Sequence, residues 1–425
     1  MEKVADYSVA LQQRDARISG WADSSARKVV HQWLSRLSDG QLKLEDHGST
    51  CWFGETAAES PAAIVRIHDA RFYREVLAGG SVGAAEAFML GYWSSPEPVA
   101  VVQLMARNLQ RLHDLEKKMP WVSRIALSAF ERVRANTRSG SRRNIAAHYD
   151  LGNAFFSLFL DREMMYSSAI YPTADATLEQ ASFFKRDHIC QRLQLNADDR
   201  VLEIGTGWGG MAIHAAQHYG CHVTTTTISR EQYEYALARV EAMGLSDRID
   251  VRLCDYRDLE GQYDKIISVE MIEAVGHRFM PVFFEGCQKL LKEEGVMLIQ
   301  AITIPDQRYD NSRKRVDFIR RYIFPGGCLP SVARMQSITA KHTDFQWVGL
   351  EDITLDYART LADWRERFLS QLSVVREQGF DETFIRMWHF YFAYCEGGFR
   401  ERAVTTHQCL LARPRARTLA GPGAG

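Results

Sequence analysis

The chain lacks any stretch of 18 or more apolar residues, so none of its 425 residues belongs to a transmembrane helix candidate. The opening MEKVADYSVALQQRDARISG is mixed in charge and has no apolar core. No secretory signal is read there, and the chain is expected to be cytoplasmic. The eight cysteines stand singly, with no CxxC pair and no Cys/His grouping at zinc spacing, so buried reduced thiols are expected and no metal site. Neither sign of charge dominates. The 52 Lys and Arg against 53 Asp and Glu leave a net charge of −1, which argues against a dedicated nucleic-acid binder. There are no internal repeats.

What is present is a core-forming composition, 46% apolar and 25% charged, in a chain of two-domain length. The pattern divides into an arm (1–23), a small N-terminal α/β domain (24–108), a basic amphipathic linker (109–143), a catalytic-sized domain (144–412) and a tail (413–425). In the small domain, helices are expected at Ala26–Leu37 and Arg71–Ala78 and strands at Ser49–Phe53 and Ala63–His68. A glycine-rich break at Gly79–Gly83 precedes a further helical run.

Residues 107–143 hold ten Lys or Arg against three acids, a local charge of +7, and include an amphipathic run with Trp121, Ile125, Leu127, Phe130 and Val133. Such a segment can lie on an anionic membrane surface, or it can be an interdomain helix with a solvated charged face. From Arg200 onward, strand-like and helical runs alternate, which predicts a parallel sheet covered by helices on both faces. Helical stretches are expected again at 360–377 and 381–398.

The strongest local signal is VLEIGTGWGG (201–210), an apolar strand that ends in a glycine-rich turn and enters a helix. That arrangement predicts a nucleotide or nucleoside site. A nicotinamide site would carry an acid at the tip of the next strand, yet that strand ends in Thr225-Thr226-Thr227. Glu203 lies inside the first strand and Asp255 follows the third. This placement favours S-adenosylmethionine, with its cationic amino acid part and adenine amino group, over NAD.

Seven motifs occur in order: HYDLGNAFFSLFLD, MMYSSAIY, VLEIGTGWGG, TISREQ, SVEMIEAVG, YIFPGGCLPS and YCEGGFRER. Together they resemble the cyclopropane-fatty-acyl-phospholipid synthases and the related mycolic-acid and branched-fatty-acid methyltransferases. The resemblance covers roughly 140–412 well and 25–110 more faintly. It implies a class I methyltransferase fold, a Rossmann-like doubly wound sheet. It also implies methyl transfer from S-adenosylmethionine to the double bond of an unsaturated acyl chain on a membrane phospholipid.

By the same resemblance, Tyr166 and Ser167 close over the cofactor, and Glu203, Gly205, Thr206, Gly207, Trp208 and Gly209 form its loop. Thr227, Ile228, Ser229 and Gln232 meet its ribose and methionine parts, and Asp255 and Tyr256 lie near its adenine. In cyclopropane formers a bound bicarbonate serves as base. The positions assigned to it here, or to the late pocket, are Ser168, Glu273, Gln300, Tyr357 and Cys395. The resemblance also implies peripheral attachment to the inner face of the membrane and allows a homodimer.

Two positions depart from the pattern. Ser168 stands where the family has Cys, and Gln300 where it has His. Both replacements still form hydrogen bonds, but Gln cannot carry a proton near neutral pH as His can. The product can therefore be a methyl- or methylene-branched chain or a cyclopropane. Loss of catalysis in a lipid-binding homologue remains an alternative, and a nicotinamide oxidoreductase a weaker one.

Other residues keep two readings. Cys395 lines a pocket or packs in a core, since alkene methylation needs no protein nucleophile. Tyr166 and Trp208 are core aromatics or present a π face to a cation. The aromatic run Phe384–Phe399 is core or an acyl tunnel. His148 and Asp150 cap a helix or serve the site. Arg313, Lys314, Arg315, Arg320 and Arg321 are a solvated face or meet phosphate headgroups.

Overall fold

The computed structural model describes residues 20–55, 62–109, 111 and 151–417. Most of the arm, nearly all of the basic linker, His148, Asp150 and the end of the tail lie outside the described residues. The chain forms two compact units, each assembled from separated stretches of sequence.

Unit one contains the described residues up to 111 together with Arg315–Ile323 and Leu361–Ala403. Its sheet has the order β2-β1-β3-β4, from β1 (Gly40–Asp46), β2 (Ser49–Glu55), β3 (Ala63–Ile67) and β4 (Trp93–Ser94). β1 and β2 are antiparallel around His47-Gly48, while β1 and β3 are parallel. The first helix runs Gly20–Leu34. The glycine-rich stretch expected as a break is a kink at Gly80 (φ 57°) inside one helix, Arg71–Met89.

The sequence reading placed 361–403 within a contiguous 144–412 domain, whereas the helix Glu382–Arg400 packs in unit one against Pro98–Arg107 and Arg71–Met89. Its aromatic side chains are core here. Phe390 meets Phe88 and Phe318 at ring distances of 5.3 and 5.1 Å. Just beyond the helix, the Glu401 carboxylate accepts both from Arg107 (Nη2, 2.7 Å) and from Gln103 (2.6 Å). Of the basic cluster, Arg321 pairs at 3.0 Å with the buried Glu86.

Unit two contains 151–314, Phe324–Thr360 and the described residues from Val404 onward. Its seven-stranded sheet has the order β10-β11-β9-β8-β5-β6-β7. The strands are β5 (Arg200–Ile204), β6 (His222–Thr227), β7 (Ile249–Leu253), β8 (Tyr263–Val269), β9 (Leu291–Thr303), β10 (Gln346–Asp352) and β11 (Thr405–Ala412). The run β9-β8-β5-β6-β7 is parallel, β11 pairs antiparallel with β9, and β10 pairs antiparallel with β11.

Successive strand residues point to opposite faces. Leu202, Ile266, Met297 and Leu411 join one core, and Val201, Ile267, Leu298 and Leu410 join the other. Both faces are buried, which is why these strands read as continuous apolar runs. The chain runs outward from β5 through β6 to β7 and then returns to β8 on its other side, so β5 marks the switch point of a doubly wound sheet.

Among the described residues no helix is long and apolar enough to cross a membrane, and no group of His, Cys, Asp and Glu could hold a metal ion. All eight cysteines are free.

A Cβ at Gly397 would stand 2.8 Å from Val102 Cβ. Gly397→Leu is therefore expected to destabilise unit one by about 1–3 kcal/mol through overpacking. A thermal melt unchanged from the parent would disprove this close approach.

Candidate active site

The sequence-assigned residues of unit two gather at the carboxyl ends of its parallel strands. After β5 the chain turns back, with the N–H groups of Gly205 and Thr206 both donating to Thr226 O on β6 (3.1 and 3.0 Å). Gly207 has φ 53°, and a Cβ built there would meet nothing within 4 Å. The turn thus leaves open backbone beside the start of the helix Gly210–Tyr219, as a closely held cofactor requires.

Glu203 is buried, and burial pushes its carboxyl up to about 8. Thr225 Oγ1 lies 2.6 Å from Glu203 Oε2 and 2.8 Å from Thr206 Oγ1, which ties the strand to the turn. Thr227, Ser229 and Gln232 bind one another at the entry to the helix Arg230–Ala242. The Thr227 hydroxyl donates to Gln232 Oε1 (2.8 Å) and accepts from Ser229 N–H (3.1 Å), and Ile228 is partly exposed between them.

Asp255 follows β7 and accepts from Arg257 at 2.8 and 2.6 Å, while Tyr256 packs edge-on against Phe283. Tyr166 is half-buried against Phe156 and Phe324 (5.3 and 6.2 Å). Trp208 packs on Phe156, and its indole N–H donates to Asn153. Ser167 Oγ accepts from Lys185 Nζ at 2.8 Å, and burial draws that buried lysine down to about 8.

Three of the five proposed chemical residues converge on a fourth side chain that the sequence reading did not single out, Glu270. Its Oε1 accepts from the Ser168 N–H (2.9 Å) and from Gln300 Nε2 (2.8 Å), and its Oε2 accepts from the Tyr357 hydroxyl (2.8 Å). The Glu270 N–H donates to Gln300 O at 2.8 Å, and the residue holds φ 49°, a left-handed conformation rare for a side chain of this size.

The amide of Gln300 is oriented from behind. Arg192 donates to Gln408 Oε1 (3.2 Å), and Gln408 Nε2 donates to Gln300 Oε1 (3.0 Å). The Ser168 hydroxyl turns away, to Ala169 O. Ala169 N–H and Tyr171 N–H donate to Thr360 and Asp356, so the helix beginning at Thr354 fixes this loop.

Glu273 follows on the short turn Ile272–Ala274. One of its oxygens accepts from Ile302 N–H, and its Oε2 is buried without a partner. Burial first, and Glu270 second, push its carboxyl up to about 8. Glu270 and Glu273 each keep some accessible surface. Cys395 belongs to unit one, on the helix Glu382–Arg400, where burial pushes its thiol up and keeps it neutral.

The signal that could have revealed Glu270 is the pair of glutamates three apart in SVEMIEAVG, directly after an apolar strand. Lys185 and Gln408 lie in a helix (Leu178–Leu193) and a strand that the sequence reading did not expect.

Thr225→Val leaves Glu203 without its hydroxyl partner, at a cost of about 1–3 kcal/mol. Affinity for S-adenosylhomocysteine is expected to fall by roughly tenfold. An unchanged calorimetric titration would detach this carboxylate from the cofactor turn.

Residues 136–409 match the family model described as mycolic acid cyclopropane synthetase. Tuberculostearic acid methyltransferase UfaA1 of Mycobacterium tuberculosis (strain ATCC 25618 / H37Rv) is 39% identical over 367 residues, 85% of each chain. Cyclopropane-fatty-acyl-phospholipid synthase of Escherichia coli (strain K12) is 36% identical over 357 residues, 83% of this chain and 89% of that one. Among solved structures, the cyclopropane synthase MmaA2 from Mycobacterium tuberculosis superposes with a TM-score of 0.60 at 29% identity, covering 64% of this chain and 98% of that one. The open glycine turn after β5 fits the cofactor such enzymes use, and the nicotinamide alternative falls away. The chain belongs to the mycolic acid cyclopropane synthetase family, and it is an S-adenosylmethionine-dependent methyltransferase.

Proposed function

We propose that the enzyme methylates the double bond of an unsaturated fatty acyl chain carried on a membrane phospholipid and forms a methylene-branched chain or a methyl-branched chain that keeps a double bond. When bound, S-adenosylmethionine supplies an electrophilic methyl group on a positively charged sulfur. In this reading the turn Gly205–Gly209, Glu203, Thr206, Asp255 and Tyr256 hold the cofactor with Thr227, Ile228, Ser229 and Gln232, and Tyr166, Ser167 and Trp208 close over it.

The observation that carries the reading is the cluster around Glu270, where Ser168, Gln300 and Tyr357 all donate to one carboxylate. A bicarbonate would need the donors this side chain already engages, so no step is routed through it. The 39% identity to a tuberculostearic acid methyltransferase across 85% of both chains supports the branched product over the ring. Glu273 shapes the same cluster, and Cys395, a neutral thiol in unit one, is given no step. The enzyme meets its substrate at the cytoplasmic face of the membrane, and the +7 segment at 107–143 is the part whose charge suits an anionic bilayer.

The test uses purified enzyme, methyl-labelled cofactor and vesicles of oleoyl or vaccenoyl phospholipid, with lipid products identified by mass spectrometry. Label in a branched chain is expected. A cyclopropane as sole product overturns the branched reading, and cofactor binding without lipid label overturns the activity. Glu273→Ala, which removes the side chain that shapes the cluster, is expected to lower turnover on the order of 10²-fold by misplacing its neighbours; full turnover would remove Glu273 from the site.

A further inference from the structure

Methylation of an alkene leaves a proton to be placed. Transfer breaks the donor's carbon–sulfur bond with the electron pair left on sulfur, and the alkene pair becomes the new carbon–carbon bond. The neighbouring chain carbon is then cationic. A C–H pair beside the cation must next become a bond, as a new double bond or a ring bond, and its proton must pass to a base. No oxidant or reductant enters this balance.

Two carboxyls stand at the end of β8, and their surroundings differ. Glu270 has three donors, from Ser168, Gln300 and Tyr357, with Lys185 adding a favourable field. Glu273 has one donor, an unpartnered buried Oε2, and the charge of Glu270 beside it. Burial disfavours ionisation of both, but hydrogen bonds to the charged form favour Glu270. Of the pair, Glu270 has the surroundings that favour the charge and Glu273 those that favour the proton. A carboxylate offers about four acceptor sites. The donors named above fill two at Oε1 and one at Oε2, leaving one at Oε2 for an incoming proton.

The backbone points the same way. A glutamate at φ 49° is strained, and such strain persists where the surroundings over-determine it and function uses it. Here the Glu270 N–H is held by Gln300 O and the side chain by three donors. Ser168, Gln300 and Tyr357 together form an anion cradle, and the anion in it is the chain's own side chain.

We propose that Glu270 is the base of the reaction. Its Oε2 takes the proton from the methylated cationic chain, and Gln300, fixed by Gln408, acts as a positioning residue. This rests on the alkene-methylation reading above.

The experiment compares the wild type, Glu270→Gln and Glu270→Gly in carbon-dioxide-depleted buffer, with and without added bicarbonate or formate. The wild type is expected to transfer methyl groups equally under all conditions. Glu270→Gln is expected to lose on the order of 10²-fold or more in turnover. Glu270→Gly, whose backbone suits the positive φ, is expected to be inactive alone and to recover with the added anion.

A second readout does not depend on turnover. In 13C NMR, labelled bicarbonate is expected to bind Glu270→Gly and not the wild type. Three results overturn the proposal: a wild type that stops when carbon dioxide is removed, a Glu270→Gln variant with turnover within twofold of the parent, or bicarbonate binding by the wild type. If the wild type methylates no unsaturated lipid, the reaction reading fails by itself, and the NMR comparison still decides whether Glu270 fills the cradle. Should Glu270→Gly not fold, the near-isosteric Gln variant and the wild-type dependence on bicarbonate keep the test in force.

Discussion

A carboxylate taken out of water must be given hydrogen bonds, or it costs more than a small domain can offset. Glu270 meets this requirement with donors from three places far apart in sequence: the loop at Ser168, β9 at Gln300 and the helix beginning at Thr354. Each must arrive within hydrogen-bonding distance of the end of β8. The insertion of β11 beside β9 belongs to the same constraint, because it brings Gln408 to Gln300. The line Arg192, Gln408, Gln300, Glu270 runs from a cation to an anion, so every amide in it has one favourable orientation.

The rest of the site is simpler in kind. Its cofactor half is backbone and short side chains at strand ends, where a doubly wound sheet places ligands. Many of the polar groups there bond to one another. Thr225 joins Glu203, Thr227 joins Gln232, and Arg257 holds Asp255. These pairs set the shape of the turns before any ligand arrives. The chemical half is denser, with Lys185, Glu270 and Glu273 all shifted by burial from their ordinary ionisation.

The parallel strands were legible because burial on both faces writes them as apolar runs, as in β5, β8 and β9. β11 was not, since its first half, Thr405–Gln408, is polar and its partners lie far away in sequence. The helix Leu178–Leu193 hid for a related reason: Ser182, Lys185 and Arg186 are buried in it and erase the amphipathic period. Contiguous domains were the natural expectation, and nothing local in 361–403 signals that the helix Glu382–Arg400 packs against Pro98–Arg107. Ser168 was found through an ordered motif, and Gln300 and Tyr357 through the positions that the family resemblance assigns. Glu270 sat inside another such motif, but its partners are joined only by the fold.

The discontinuous make-up of unit one also bears on the order of synthesis. Its first stretch leaves the ribosome without Phe390 or Gly397, which meet Phe88 and Val102 in the finished core. Roughly 270 further residues must be made before Leu361–Ala403 is complete, which at about 5–20 residues per second is on the order of 10–60 s. For that interval the early helices and the four-stranded sheet hold apolar faces with no native partner. Unit one starts before unit two and finishes late, so on the nascent chain those faces wait for native cover until Leu361–Ala403 has emerged.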